Sequence, residues 1–318
     1  MKRIFLFALA VCVLLASFTL VSCTEAADAS DKPVIVCSIF PQYDFVKNIV
    51  GDRCKVVLLS TNGADMHSFE PTARNILDIA SASVLVTVGG ESDAWVDGVL
   101  ASAENYDLIH LELFSYASLL AEETPESMRE HDHEHGHDHD HGEGELYDEH
   151  VWTSLKNAVS IVDGLAFDLG QAFPEYIEEF SRNAQAYIDK LEALDRDFEA
   201  LYLEGKPFIV ADRFPFLYFA EDYKLNFLGA FPGCSSETHA SFETMTYLIS
   251  EVEHIGANCI FITEGSNLGI AERISEETGA KIYTVNSVQS ITMAQLESGE
   301  GYYEIMRKNY EILAEAYK

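Results

Sequence analysis

Short apolar runs alternate with helical patterns twice along this chain, and one long helical stretch separates the two series. The first series offers Val34–Ile39, Val56–Leu59, Val84–Val88 and Leu108–Leu113 as strands, with helical patterns at Tyr43–Val50 and Ala73–Ala80. The second offers Phe208–Ala211, Leu225–Leu228, Cys259–Thr263 and Lys281–Val285, with helices at Ala240–Glu253, Ile270–Thr278 and Tyr302–Tyr317. Short apolar strands alternating with helices predict parallel sheets covered by their crossover helices. Helical patterns begin again at Leu155. They are clearest over Pro174–Leu203, where Tyr187, Leu191, Leu194, Phe198 and Leu201 recur at spacings of three and four. Pro174 suits a first helical turn, Glu175 favours the same end, and Gly205 and Pro207 stop the helix. About 30 helical residues would extend roughly 45 Å, enough to join two lobes. The expected fold class is therefore α/β: two lobes with parallel sheets joined by one long helix. No repeat is visible at the level of residues.

The amino terminus is a targeting segment. Lys2 and Arg3 precede an apolar run from Ile4 to Leu20, shorter than a typical membrane span and suited to a signal-peptide core. The run ends in Leu20-Val21-Ser22-Cys23, which resembles a bacterial lipoprotein signal with Cys23 as the acylated residue. The alternative is an ordinary signal peptide with an incidental cysteine. Several acyl chains on one residue anchor a protein better than one chain does. The expected organisation is signal peptide 1–22, tether 23–32, amino-terminal lobe 33–165 with a His-rich loop at 122–147, linking helices 166–204 and carboxy-terminal lobe 205–318. The remaining chain is expected to be soluble and extracytoplasmic. Disulfides are permitted there, and Cys37–Cys54 and Cys234–Cys259 are candidate pairs. The absence of CxxC spacing argues against a zinc site built on cysteines. The 53 acidic residues outnumber the 20 Lys and Arg, for a net charge of -33. Such a surface repels nucleic acid and attracts cations.

Histidines carry the chemistry. His131, His133, His135, His137, His139 and His141 alternate with acids and glycines in a polar stretch that cannot bury a core. Neutral imidazoles bind zinc, copper and nickel, and carboxylates add attraction. His67 follows the second strand, where ligand sites of α/β sheets lie. His150, in Asp148-Glu149-His150-Val151-Trp152, has acids beside it that would orient its ring. His110 reads as a sheet residue and His254 as a late helix residue. Glu237 and His239 open a helix, with capping and ligand roles both open. A zinc hydrolase would want an HExxH pair on a helix, and no helical pattern carries one; GxSxG and GxGxxG are absent.

In this order the pieces resemble the metal-specific solute-binding lipoproteins of ABC transporters, the zinc and manganese uptake class, over nearly all of the mature chain. They are the loop ending in His67, Ala82–Gly90, the His-rich acidic loop, Asp148–Trp152, the long helix, Ala211–Leu225, Ile260–Gly265 and Glu277–Ala280. The resemblance implies a metal held between the lobes, with His67 and His150 as ligands from the first. Where the family has His or Glu, this chain has Asp212-Arg213, so Asp212 is the expected substitute, with His239 compensating for Asn286 at a family Asp position. Two His, a carboxylate and a third His or water suit tetrahedral Zn2+, whereas Mn2+ prefers more oxygen ligands. The implied role is capture of zinc outside the cell and delivery to a membrane permease, without catalysis, by a monomer held to lipid through Cys23. A manganese-binding protein or adhesin of the same architecture is the alternative, and a secreted zinc hydrolase a remoter one.

Overall fold

The computed structural model describes residues 32–60, 66–122, 146–234 and 241–318. Cys23 with the leader and tether, the six histidines from His131 to His141, Glu237 and His239 lie outside them. Eight strands form where the two series predicted them. β1 Val34–Cys37, β2 Lys55–Leu58, β3 Val84–Thr87 and β4 Ile109–Glu112 make one sheet, in the order β2-β1-β3-β4. β5 Pro207–Phe214, β6 Asn226–Pro232, β7 Cys259–Ile262 and β8 Lys281–Thr284 make the second, in the order β6-β5-β7-β8. All pairings in both sheets are parallel. β3 and β7 are buried along their whole length, which is why they read as unbroken apolar runs. The two sheets share one strand order, so the chain repeats its topology although it does not repeat its residues. β6 stands in the second sheet where β2 stands in the first.

The long helix starts where Pro174 placed it and is shorter than the roughly 30 residues expected. A helix at Leu155–Ala172, capped by Ser154, is followed by a second at Ile177–Glu199 that folds back against it. Between them Phe173 leaves helical geometry (φ -129°, ψ 72°), and Pro174–Tyr176 forms a 3-10 turn. The α conformation is disfavoured for a residue that precedes proline, so Pro174 breaks the helix and starts the next one. At 23 residues the second helix is about 34 Å long. Its Tyr187, Leu191, Leu194 and Phe198 are buried as the periodicity required. The main core includes Ile35 and Val86 of the first sheet, Leu165 and Leu191 of the helical pair, and Phe208 and Phe261 of the second sheet. Pro33–Lys318 is accordingly one compact unit. Neither candidate disulfide forms: Cys37, Cys54, Cys234 and Cys259 stand outside any disulfide among the described residues. Among the described residues no helix is long and apolar enough to cross a membrane.

Asp44 ties the helices together. It sits in the helix Phe40–Val50, accepts the Tyr187 hydroxyl at 2.7 Å and the Asn48 amide at 3.1 Å, and is bonded by the Tyr302 backbone. Burial pushes its carboxyl up to about 6 against those hydrogen bonds. An acid with a folded pKa above its unfolded value holds more protons when folded, so its contribution weakens the fold as pH rises from about 4 to about 6. Asp44→Asn keeps an acceptor for Tyr187 and removes the titration. In urea unfolding at about pH 4 and about pH 6.5, the wild type is expected to lose on the order of 2 kcal/mol relative to the variant. Parallel pH profiles for the two proteins would exclude Asp44 as the source.

Candidate metal site

The site is built on a buried run. Asp148, Glu149, His150, Val151 and Trp152 are all buried, His150 fully. Groups from the second half of the chain hold this run. Trp152 Nε1 donates to the Ser287 carbonyl at 2.8 Å, the Tyr302 hydroxyl to the Trp152 carbonyl at 2.6 Å, and the Tyr218 hydroxyl to the Asp148 carbonyl at 2.7 Å. Within the run, Asp148 Oδ1 accepts the His150 backbone N–H at 2.9 Å and lies 3.3 Å from His150 Nδ1. That contact assigns the ring proton to Nδ1 and leaves the Nε2 lone pair for a ligand.

His67 lies in the 3-10 turn Met66–Ser68 after β2. Its Nδ1 is 2.8 Å from Ser92 Oγ and 3.7 Å from Glu149 Oε2. Glu149 Oε1 accepts the Ser92 backbone N–H at 2.8 Å, while buried Oε2 has no hydrogen-bond partner. The Gly90 backbone passes so close to the Glu149 carboxylate that a Cβ there would collide with it. This arrangement turns His67 Nε2 toward His150 Nε2, 3.3 Å away. With both rings protonated on Nδ1 the two Nε2 lone pairs face each other and one cation answers both, whereas a proton on either Nε2 makes the same contact a hydrogen bond. Nitrogens bound at about 2.0–2.1 Å to one tetrahedral zinc stand about 3.3 Å apart.

Cys234 completes the group, against the expectation from its spacing. It follows β6 through Gly233, where a Cβ would lie 2.8 Å from the Phe214 carbonyl oxygen and 3.2 Å from His150 Cε1. The Phe214 carbonyl leaves no room for a side chain there, and glycine lets the chain pass between it and the imidazole. As a result ligand atoms of His67, His150 and Cys234 all lie within 4.8 Å of one another. The surroundings are acidic. Burial pushes the Cys234 thiol well up, and the charges of Asp148 and Glu122 push it further. Burial and Asp148 likewise raise the Glu122 carboxyl. A divalent cation would answer this accumulation of negative charge. A cavity of about 610 Å³ adjoins, lined by His67, Gly90, Glu122, Tyr147, Glu149 and Cys234 among others. Ala121 bridges to Tyr147, and the Glu122 N–H donates to the Leu146 carbonyl at 2.8 Å, so both ends of the His-rich segment meet at this rim.

Asp212 does not join the group, contrary to the expectation. It lies within β5, whose register shifts between Val210 and Arg213. Its carboxylate accepts the Arg213 N–H at 2.8 Å, Thr263 Oγ1 at 3.0 Å and the Ser266 hydroxyl, and so ties β5 to the loop after β7. Asn286 is a turn residue whose Oδ1 accepts the Val288 N–H at 2.7 Å. His110 bonds Thr87 Oγ1 at 2.8 Å within the first sheet, as read from its strand pattern. The structure brings together His67, His150 and their acidic neighbours, and places beside them Ser92 and Cys234, which the sequence did not single out for the site. The available signal for Cys234 was its position just past the second strand of the second series, the place His67 holds in the first.

The family described as zinc-uptake complex component A, periplasmic (ZnuA), matches residues 35–316. The zinc-binding protein AdcA of Streptococcus pyogenes serotype M3 is 28% identical over 293 residues, covering 90% of this chain and 56% of that protein. This chain thus spans little more than half the length of that relative. The high-affinity zinc uptake system protein ZnuA of Bacillus subtilis is 30% identical over 315 residues, covering 98% of this chain and 96% of that protein. The Zn(II)-bound ZnuA-like domain of Streptococcus pneumoniae AdcA superposes with a TM-score of 0.72 at 27% identity, covering 90% of this chain and 98% of that domain. With a strand order, a paired-histidine site and a sequence match that run the length of the described fold, the chain belongs to the ZnuA family of zinc-uptake components.

Proposed function

We propose that this protein captures Zn2+ outside the cell at a site centred on His67 and His150 and passes it to a membrane permease of the ABC class. The observation that carries the reading is the 3.3 Å approach of the two Nε2 atoms, each ring held from its far side by an oxygen. The zinc-binding and zinc-uptake names of the relatives support the same cargo. Manganese, which favours oxygen ligands and higher coordination, suits two facing imidazoles less well. The proposal includes a monomer of two lobes, 33–165 and 205–318, anchored to lipid through acylated Cys23. The metal is cargo, so the role involves capture and release without covalent turnover. The acidic His-rich stretch would raise the local concentration of zinc beside the cavity rim.

Two measurements test this reading. His67→Ala and His150→Ala should each weaken tight zinc binding by more than the roughly 10–100-fold that losing an outer-shell partner costs. Competition against a chelating dye measures it, and unchanged affinity would remove that residue from the site. Deleting residues 123–145 should leave the fold and one tight site while lowering the number of zinc ions bound. The segment has no apolar periodicity, and ordering it around a metal costs roughly 1–2 kcal/mol per residue in backbone entropy. Its share of the binding should therefore be weak and fade below about pH 6 as imidazoles protonate. Calorimetric titration decides it; disappearance of the tight site with the segment would make the segment part of the primary site.

A further inference from the structure

We propose that Cys234 is a metal ligand, a thiolate given by the second half of the chain to a His67–His150–Cys234 centre, and that it selects zinc and softer cations over manganese. The inference rests on reading His67 and His150 as ligands and adds the donor that the second half supplies.

Four observations carry it. The ligand atoms of these three residues lie within 4.8 Å of one another, close enough for small side-chain movements to bring all three to the roughly 3.3–3.6 Å spacing of donors on one ion. The shared strand order makes the end of β6 the counterpart of the end of β2, so Cys234 holds in the second sheet the place His67 holds in the first. The close pass of Gly233 beside His150 and Asp148 has no packing use for a side chain there, and its effect is to deliver the next residue to the site. Glu149 Oε2, buried and without a hydrogen-bond partner, lies beside the His67 ring, in the place of an acid that orients a metal-bound imidazole. Asp212, the expected carboxylate of the second half, is bound to Thr263 and Ser266 instead. The remaining described cysteines, Cys37, Cys54 and Cys259, pack in the main apolar core.

The chemistry is a simple exchange. The Sγ–H bond breaks, the sulfur pair forms the metal–sulfur bond, and the proton leaves to solvent; delivery reverses each step. Thiolate with two imidazoles is a soft-to-borderline donor set, which holds Zn2+, Cd2+ and Co2+ and gives Mn2+ no oxygen ligand.

Cobalt(II) is the probe. The full mature chain loaded with one equivalent should show a thiolate-to-cobalt charge-transfer band in the near ultraviolet beside its visible bands. In Cys234→Ser the charge-transfer band should be lost while the visible bands of histidine-bound cobalt remain. The His-rich stretch has no cysteine, and the thioether of its Met128 gives no thiolate band, so it cannot supply the signal. Zinc X-ray absorption on the unmutated protein needs no variant: it should show one sulfur at about 2.3 Å beside nitrogens at about 2.0–2.1 Å. A nitrogen-and-oxygen-only shell, or a charge-transfer band that survives in Cys234→Ser, would overturn the assignment and leave the histidine centre standing. Tight binding untouched by His67→Ala and His150→Ala would overturn both.

Discussion

The Trp152 indole, closed in on all sides, is the contact on which the rest of the site depends. It donates to the Ser287 carbonyl, and the carbonyl of the same residue accepts from Tyr302, so one residue carries two bonds from the second half. The Tyr218 bond to the Asp148 carbonyl makes a third. Each bond is worth only about 1 kcal/mol net, yet a buried group left unpaired costs about 1–3 kcal/mol. The run therefore has one satisfied position. His150, two residues from Trp152, takes its orientation from that position and from Asp148 before any ligand arrives. Preorganisation of this kind lowers the ordering cost of capturing an ion.

Release is the harder demand, and the packing limits how it can happen. The main core includes residues of both sheets and of the helical pair between them. Separating the sheets would expose apolar surface at roughly 25 cal/mol per Å², and would also break the bonds around Trp152. The ends of the strands offer less resistance. His67 sits on a three-residue turn and Cys234 on the short Gly233-Cys234 exit from β6, next to an open cavity. Moving the His67 turn exposes the buried Met66, a smaller area than parting the sheets. The acids gathered around the site, Asp148, Glu149 and Glu122, favour a cation there.

The fold was legible because parallel strands buried on both faces must be apolar along their length. Val84–Thr87 and Cys259–Ile262 stand out for that reason, and the partly exposed edge strands such as Ile109–Glu112 and Lys281–Thr284 follow from their place in the alternation. The break at Phe173 was legible in Pro174, which suits a first helical turn, while the end of that helix at Glu199 was harder to see because apolar periodicity continues to Leu201. The shorter helices Trp95–Ala103 and Leu217–Asp222 passed unnoticed among apolar residues with no clear stripe. His67 and His150 were legible because both sit where a loop leaves apolar structure. Asp212 misled because position in the chain does not report the direction of a side chain in β5, where the register shifts. Cysteine spacing misled for a different reason: it detects ligands that are neighbours in sequence, while this group draws on residues separated by the whole helical connection.

That separation follows from the doubled topology. Two sheets with one strand order present equivalent loop ends, and the shared core brings those ends together. The backbone supplies the geometry of a two-sided site without regard to what the loops carry. The residues on the loops decide which ion is held, and they are free to change because no strand pairing depends on them. A turn such as Gly233-Cys234 can therefore differ between proteins of one fold while β6 stays as it is. Cargo preference is written at the strand ends, which strand pairing leaves open.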